Sequence, residues 1–165
     1  MNNQFKNKSV LVTGGTKGIG KGIAESFLME GSKVFVLSRN SPKRKISKKG
    51  NSAIFVACDI RDHSSVEIAL KDILSQTKTV DVLINNAGGS PLLNATSGSI
   101  NFHKSVIDFN LTAQLQVSVM IAKKMLKQKT ISSIINISSV TANSCLLYTS
   151  PSPRDAHESR MPSSA

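Results

Sequence analysis

A glycine-rich stretch near the start of the chain, Val10-Leu-Val-Thr-Gly-Gly-Thr-Lys-Gly-Ile-Gly20, constrains the fold more than any other feature of the sequence. It predicts a buried strand over residues 9–13, a tight turn, and a helix from about residue 20 to residue 30. Glycine suits this turn because the turn is tight, the backbone must approach a pyrophosphate closely, and the helix must pack near the strand. The first turn of the helix would offer free N–H groups and a partial positive charge to phosphates. The stretch therefore predicts a site for a dinucleotide.

The same stretch also has the glycine and lysine spacing of a phosphate-binding P-loop, from Gly15 to Lys21. A P-loop needs a serine or threonine directly after the lysine, because that hydroxyl binds magnesium. Gly22 occupies this position. The sequence therefore argues against a nucleoside triphosphatase.

Four further strand patterns follow along the chain. Short runs rich in β-branched residues occupy residues 33–37, 53–57, 81–84 and 133–137. Helical segments separate these runs, and strands that alternate with helices form right-handed βαβ units and a parallel sheet. A TIM barrel needs eight such units and about 250 residues, whereas this chain has 165 residues. We therefore predict a Rossmann-type, doubly wound parallel α/β sheet that is truncated after its fifth strand.

Three segments between the strands carry more detailed expectations. Ser64 and Glu67 have the spacing of a capping box that opens a helix. One face of that helix would be apolar, formed by Val66, Ala69, Leu70 and Ile73. Residues 102–127 predict one amphipathic helix. Residues 41–51 are polar, carry five basic side chains, and predict a short helix or an exposed loop.

The chain is strongly basic, with 21 Lys and Arg against 10 Asp and Glu and a formal net charge of +11. This charge is compatible with binding to nucleic acid or to an anionic membrane. Aromatic residues make up only 4% of the chain, the lysines are scattered over several segments, and no nucleic-acid recognition motif is present. We therefore expect no nucleic-acid partner.

The expected location is the cytoplasm, with no membrane partner. The sequence contains no apolar run near the roughly 18 residues that a membrane span needs, and residues 1–8 lack the apolar core of a secretory signal. Cys58 and Cys145 are too few and too far apart to suggest a disulfide framework or a metal site. We therefore expect a reducing compartment and no bound metal.

Four motifs together resemble the short-chain dehydrogenase/reductase family. Thr13-Gly-Gly-Thr-Lys-Gly-Ile-Gly20 looks like the cofactor loop of that family, and Asn85-Asn-Ala-Gly88 matches its second signature. Asp59-Ile60 stands where the family contacts the adenine ring, and Ile134-Ile-Asn-Ile-Ser-Ser-Val140 resembles the strand that carries its catalytic serine. The resemblance covers about 135 residues with the motifs in register. It implies a nicotinamide-dependent oxidoreductase that acts on a small-molecule carbonyl or alcohol and is a homo-oligomer in its full-length form.

The resemblance and the dinucleotide motif assign a set of cofactor-binding residues. They are Gly14, Thr16, Lys17, Gly18, Ile19, Gly20, Ser38, Arg39, Asp59, Ile60, Asn86, Ala87 and Gly88. NAD-binding folds place a carboxylate near the end of the second strand to bind the ribose 2′-OH, but this chain has Ser38 and Arg39 there. Because Arg39 and Lys17 could bind a 2′-phosphate, we predict a preference for NADP(H) over NAD(H). The alternative is that both are ordinary solvated surface charges.

The resemblance also implies two catalytic residues. Ser139 would hold the substrate oxygen, with Ser138 as the alternative because neighbouring strand residues point to opposite faces. Asn110 would support a proton-relay water, the alternative being a helix-surface or locally capped asparagine. The family also uses a Tyr-x-x-x-Lys motif as acid and base, which is absent here: the only tyrosine is Tyr148, and no lysine follows Lys129. We therefore expect the chain as written to be inactive.

The composition changes abruptly near residue 144. Lysine, asparagine and isoleucine are absent from residues 145–165, and three of the five prolines lie there. This segment resembles the translation of a transposon-type sequencing adapter, and the alternative is a Ser/Pro-rich disordered tail. We therefore expect residues 1–144 to be the N-terminal portion of a NAD(P)-binding domain, and residues 145–165 to be a non-native, disordered tail.

Overall fold

The computed structural model describes residues 4–91 and 97–139. The strands are β1 (Ser9–Thr13), β2 (Lys33–Ser38), β3 (Ser47–Lys48), β4 (Asn51–Ser52), β5 (Ile54–Ala57), β6 (Val82–Asn85) and β7 (Ser133–Asn136). Five of them form a parallel sheet in the order β5-β2-β1-β6-β7. The helices are α1 (Gly18–Met29), α2 (His63–Gln76), α3 (Ile100–Ile107) and α4 (Ala113–Met125), with a π-helical segment (Asp108–Thr112) between α3 and α4.

The sheet is covered by helices on both faces, which confirms the predicted doubly wound fold. Alternate residues of the central strands point to opposite faces. Leu11, Phe35 and Leu83 pack on one face in a cluster that includes residues of α2 and α4. Val10, Val34 and Val82 pack on the other face with residues of α1. This burial on both sides explains why the central strands are continuous apolar runs rather than alternating ones.

Residues 41–46 form a loop, as predicted, but the prediction is wrong for the rest of segment 41–51. The segment contains β3, which pairs with β4 in a two-stranded antiparallel hairpin. The two residues between them, Lys49 and Gly50, have φ values of 48° and 81°. Positive φ at both positions is the geometry of a two-residue hairpin turn. Ile46 anchors the hairpin because its side chain is buried in the cluster beside α1.

Helix α2 begins two residues earlier than the predicted capping box requires, so the assignment of Ser64 as the capping residue is wrong. Asp62 caps the helix instead: one of its carboxylate oxygens accepts hydrogen bonds from the backbone N and the Oγ of Ser64, at 3.0 and 2.8 Å. The negative charge of Asp62 is also favourable at the positive end of the helix dipole, which a serine hydroxyl does not match. The predicted apolar face is confirmed, since Val66, Ala69 and Ile73 are buried.

The single helix predicted over residues 102–127 is interrupted. Ser99 caps α3 by accepting a hydrogen bond from the N–H of Phe102 at 3.1 Å. The π-helical segment follows, and within it Asn110 donates a hydrogen bond from Nδ2 to the carbonyl of Val106 at 2.8 Å. Side-chain bonds to the preceding turn compete with the backbone ladder, and π-helical turns are frequent at functional sites. A π-helical turn contains more residues than an α-helical turn. The pattern of apolar residues in the sequence does not reveal where such a turn is inserted.

Two apolar surfaces remain exposed in the described part of the chain. Strand β7 is an edge of the sheet, and Ile134 and Ile135 on it are 37% and 44% exposed. A row of large side chains on the π-helical segment and α4 is also exposed, and it includes Leu111, Leu115 and Val119. No helix among the described residues has the length and apolar character that a membrane crossing requires.

Candidate functional site

A cleft of about 570 Å³ opens at the carboxyl ends of β1, β2, β5 and β6. Every predicted cofactor-binding residue except Thr16 lines it. The lining residues are Gly14, Lys17, Gly18, Ile19, Gly20, Leu37, Ser38, Arg39, Cys58, Asp59, Ile60, Asn86, Ala87, Gly88 and Phe109. The order of the strands reverses between β1 and β6, and ligands of open α/β sheets bind at such a switch point.

The glycine loop leaves room in front of helix α1. Gly18 has a φ of 54°, and a Cβ built on it would meet nothing within 4 Å, so the space there is open. Gly20 is different, because a Cβ on it would lie 2.4 Å from Nδ2 of Asn86 and 2.5 Å from the carbonyl oxygen of Gly14. The side chain of Lys17, the residue before the helix, makes no capping hydrogen bond to it. The open space and the helix N-terminus together fit the pyrophosphate of a dinucleotide.

The loop after β6 is tied to β1 through one buried hydroxyl. Oγ1 of Thr13 accepts hydrogen bonds from the N–H groups of Asn86 and Ala87, both at 3.0 Å, and lies 3.4 Å from the carbonyl oxygen of Ile84. Nδ2 of Asn86 donates to the carbonyls of Thr13 and Gly14 at 2.9 and 3.3 Å. These bonds hold the two glycine-containing loops together at the bottom of the cleft.

The two asparagines of the second motif face opposite sides. Asn86 points to the glycine loop, whereas Asn85 is fully buried and points to α4 and β7. Its Nδ2 donates to Oγ of Ser118 at 2.7 Å and to Oδ1 of Asn136 at 2.8 Å. Strand alternation therefore gives neighbouring asparagines separate roles, one in the cleft and one in joining β6 to its neighbours.

A second, basic cleft of about 610 Å³ adjoins the first at the end of β2. Four residues line both clefts: Lys17, Gly18, Ser38 and Arg39. Thr16 lines the second, and its Oγ1 donates to Oγ of Ser38 at 3.2 Å. The second cleft is also lined by Lys21, Asn40, Ser41, Pro42, Lys43 and Arg44. No acidic side chain is among these described lining residues, so the cleft suits an anion.

Asp59 lies on the β5 side of the first cleft and is held by Arg61. The guanidinium of Arg61 donates to both carboxylate oxygens, from Nε at 3.1 Å and from Nη2 at 2.7 Å. It also lies over the ring of Phe109, 5.8 Å from the ring centroid. The hydrogen bonds from Arg61 lower the pKa of Asp59, and the charge of Arg39 adds to the effect. The same hydrogen bonds raise the pKa of Arg61.

Replacing Arg61 with glutamine should raise the pKa of Asp59 toward its ordinary value, because the bidentate pair is lost. A carboxyl group with a lowered pKa stabilises the fold above its ordinary pKa, and this stabilisation is lost as the pH falls through the lowered value. As the pH is lowered below the ordinary pKa of an aspartate, the free energy of unfolding of Arg61→Gln should therefore fall less than that of the wild-type chain. NMR titration of the Asp59 carboxyl group measures the shift, with Arg44→Gln as the matched control. An unchanged Asp59 pKa in Arg61→Gln would contradict the assignment.

Three lining residues were not predicted from the sequence: Leu37, Cys58 and Phe109. Burial raises the pKa of the Cys58 thiol, which opposes formation of a reactive thiolate. Leu37 and Cys58 directly precede the predicted lining residues Ser38 and Asp59. Their position beside these residues was the one signal in the sequence that could have indicated that they line the cleft. Phe109 comes from the π-helical segment, and its contact with the cleft has no signal in the sequence pattern.

Neither of the two predicted catalytic residues, Asn110 and Ser139, is among the described residues that line the cleft. Asn110 binds the backbone next to the lining residue Gly88: Oδ1 accepts from the N–H of Gly89 at 2.8 Å, and Nδ2 donates to the Gly89 carbonyl at 2.9 Å. Ser138 and Ser139 are exposed and follow β7, whose carboxyl end lies on the same edge as the cleft. Tyr148 and the whole segment 145–165 lie outside the described residues.

An open parallel sheet with a glycine-rich turn and a cleft at the switch point defines a Rossmann-type α/β domain. Residues 8–150 match the short chain dehydrogenase family, and the chain belongs to it. This confirms the resemblance inferred from the four motifs.

Curated relatives support the same family assignment. The chain is 32% identical over 146 residues to the 3-oxoacyl-[acyl-carrier-protein] reductase FabG of Chlamydia muridarum, a match that covers 85% of this chain and 58% of that protein. It is 34% identical over 140 residues to the peroxisomal 2,4-dienoyl-CoA reductase of Danio rerio, covering 81% of this chain and 46% of the relative. The chain thus spans about half the length of the curated relatives it matches.

Solved structures have the same fold. The ligand-free aldohexose dehydrogenase of Thermoplasma acidophilum superposes with a TM-score of 0.76 at 34% identity, covering 85% of this chain and 52% of that one. The NADH-dependent reductase A1-R′ complexed with NAD superposes with a TM-score of 0.75 at 26% identity, covering 86% and 64%.

Proposed function

We propose that this chain is the cofactor-binding portion of an NADP(H)-dependent oxidoreductase that transfers a hydride between nicotinamide and a small carbonyl or alcohol substrate. Family membership supports the oxidoreductase class. The observation that carries the cofactor preference is the position of Lys17 and Arg39, which both line the basic cleft at the end of β2. One solved relative is named as NADH-dependent, so the preference of this chain depends on its own residues.

The chemistry of that cleft fits a 2′-phosphate better than a 2′-hydroxyl. A phosphate carries up to two negative charges and several acceptor oxygens, which the planar guanidinium of Arg39 and the ammonium of Lys17 can bind. Ser38 stands where NAD-binding folds have a carboxylate that accepts a hydrogen bond from the 2′-OH. A hydroxyl avoids the repulsion that such a carboxylate would exert on the phosphate.

Isothermal titration with NADPH and NADH tests this preference. A charge-assisted hydrogen bond contributes about 1.5–3 kcal/mol, so NADPH should bind roughly tenfold to hundredfold more tightly than NADH. Arg39→Asp should remove or reverse the preference for NADPH, because it replaces the guanidinium with a carboxylate that can accept a hydrogen bond from a 2′-OH. Lys71→Asp makes the same charge change at an exposed position of α2 and should leave the ratio unchanged. The proposal fails if Arg39→Asp keeps the wild-type preference.

The proposed catalytic roles are those that the family resemblance implies for two residues. When bound, the nicotinamide supplies or accepts the hydride. Ser139, or alternatively Ser138, would hold the substrate oxygen by a hydrogen bond from its hydroxyl. Asn110 would support a proton-relay water from the π-helical segment, where its amide also fixes the backbone of Gly89. All of these side chains bind or orient, and none of them is an acid or base suited to protonating the substrate oxygen at neutral pH.

We expect no NADPH-dependent reduction of carbonyl compounds by the 165-residue chain, because its sequence contains no Tyr-x-x-x-Lys motif. NADPH absorbance recorded with a panel of aldehydes and ketones measures this. Cofactor binding in the same preparation is the control for a folded cleft. Turnover above that of a boiled sample would contradict the expectation.

A non-catalytic nucleotide-binding module is the second candidate. It is favoured by one observation: the described residues that line the cleft lie between Gly14 and Phe109, away from the region where the sequence lacks the acid/base motif. Saturable NADPH binding without turnover, together with a messenger RNA that encodes residues 145–165, would support it. Adapter codons after Ser144 would instead support a longer catalytic protein, with residues 1–144 as the native part and residues 145–165 as a foreign tail.

The remaining assignments are part of the same proposal. We place the protein in the cytoplasm, with a small-molecule substrate and without nucleic-acid or membrane partners. The exposed apolar side chains Leu111, Leu115 and Val119 support the assembly of the full-length protein into a homo-oligomer through this helix.

A further inference from the structure

Helix α4 reaches both walls of the cleft through two glutamines. Nε2 of Gln114 donates a hydrogen bond to the carbonyl of Ala87, in the loop after β6, at 2.8 Å. Nε2 of Gln116 donates to the carbonyl of Ile60, in the loop after β5, at 3.2 Å. Ala87 and Ile60 both line the first cleft. One helix therefore contacts the two loops that form opposite sides of the cleft.

The helix pattern explains why neighbouring glutamines reach different loops. Ala113, Val117 and Ile121 are buried and form the stripe by which α4 packs on the sheet. Successive helical residues are rotated by about 100°. Gln114 therefore lies on one side of the buried stripe, and Gln116 lies on the other. The packing of the stripe fixes the rotation of the helix and directs each amide toward its own loop.

Each loop has further bonds near its glutamine. On the β6 side, Asn110 binds both backbone groups of Gly89, and Nε2 of Gln114 would lie 3.5 Å from a Cβ on Gly88. On the β5 side, the N–H of Asp59 donates to Oγ of Ser65 at 3.0 Å. Gln114 is part of the support of the first loop, and Gln116 is part of the support of the second.

We propose that Gln114 and Gln116 are positioning residues that set the two halves of the cleft independently: Gln114 the nicotinamide half, and Gln116 the adenosine half. The inference rests on the proposed function, in which Arg39 binds the 2′-phosphate at the adenosine end of the cofactor. The loop after β6 lies at the nicotinamide end in that proposal, because Asn110 binds Gly89 in this loop and Ser139 follows β7, the strand that pairs with β6. Neither glutamine lines the cleft among the described residues, so both act through the backbone carbonyl that they hold.

The variants Gln114→Met and Gln116→Met test the proposal, and each is the matched control for the other. Methionine keeps the length and helix propensity of glutamine but cannot donate the hydrogen bond. The probes are reduced nicotinamide mononucleotide and adenosine 2′,5′-bisphosphate, titrated by NMR. Gln114→Met should weaken binding of the mononucleotide by roughly threefold to tenfold, with less than about a twofold effect on the bisphosphate. Gln116→Met should have the opposite effect.

Amide hydrogen exchange in the ligand-free chain provides a second readout that requires no cofactor. Gln114→Met should accelerate exchange at Ala87 and Gly89 and leave Asp59 and Arg61 unchanged, and Gln116→Met should do the reverse. If the wild-type chain binds neither NADPH nor NADH, the proposed function fails, and the exchange data still decide the positioning roles. If Gln114→Met does not fold, Gln114→Glu offers the same comparison, since a carboxylate cannot donate. Equal changes in both loops for both variants, or no change in either, would overturn the inference.

Discussion

Replacing Gly20 with alanine is expected to lower the free energy of unfolding by about 3 kcal/mol and to weaken NADPH binding more than roughly tenfold. The new Cβ would lie 2.5 Å from the carbonyl oxygen of Gly14 and 2.4 Å from Nδ2 of Asn86. Neither neighbour can yield easily. The N–H of Gly14 donates to the carbonyl of Leu37 at 2.7 Å, and the amide of Asn86 holds the backbone of β1. The clash therefore separates the helix from the two loops that form the bottom of the cleft.

Gly22→Ala is the matched control, because it makes the same change two residues further along α1. A Cβ on Gly22 would meet nothing within 4 Å, and the residue lies within the helix. Alanine there should stabilise the chain by roughly 0.5–1 kcal/mol, since glycine is a poor helix former. Urea unfolding followed by circular dichroism measures both variants. A similar stability change for the two substitutions would refute the close-packing argument for Gly20.

Replacing Thr13 with valine is expected to cost about 3 kcal/mol of stability, although the two side chains have nearly the same shape. Oγ1 of Thr13 accepts hydrogen bonds from the N–H groups of Asn86 and Ala87, and Thr13 is fully buried. Valine leaves both donors without this acceptor, and each unsatisfied buried group costs about 1–3 kcal/mol. The loop after β6 should detach from β1, so cofactor binding should fall together with stability.

Thr13→Ser separates the hydroxyl from the methyl group. Serine keeps the acceptor and loses only one buried methyl group, so the expected cost is about 1 kcal/mol. Thermal unfolding and NADPH titration of the three proteins give the comparison. Should serine prove as damaging as valine, packing of the methyl group rather than the hydrogen bonds would hold the loop.

The sheet was predictable because its signals are local. The strands are runs of β-branched and apolar residues, and burial on both faces makes those runs continuous. The misassigned segments depend on less regular features. The hairpin over residues 47–52 depends on a positive φ at Lys49, a residue type that gives little turn signal. Asp62 and Ser64 could both cap the N-terminus of α2, and residue spacing alone does not show that Asp62 is the cap.

The candidate cleft was predictable to a similar extent. Glycine and asparagine motifs at the ends of strands point to one edge of the sheet, and the structure brings these residues together. Apart from Leu37 and Cys58, which are neighbours of predicted residues, the residues that the sequence did not reveal approach from α4 and the segment before it. Phe109, Gln114 and Gln116 are ordinary members of a helical pattern, and their partners are far away in the sequence. Periodicity identifies which face of a helix is buried, but it does not identify the loop that a polar side chain will meet.

The strand order has a consequence for the time course of folding. Val10 in the central strand β1 pairs with Val34 in β2 on one side and with Val82 in β6 on the other. Along the chain, only α1 separates β1 from β2, whereas the β3–β4 hairpin, β5 and α2 also lie before β6. Joining distant segments costs more chain entropy, and a domain generally folds as a unit. The pairing of β1 with β6 is therefore the more costly of the two pairings. The glycine loop and the loop after β6 are joined through the amide of Asn86, so the cleft forms only when that distant pairing is made.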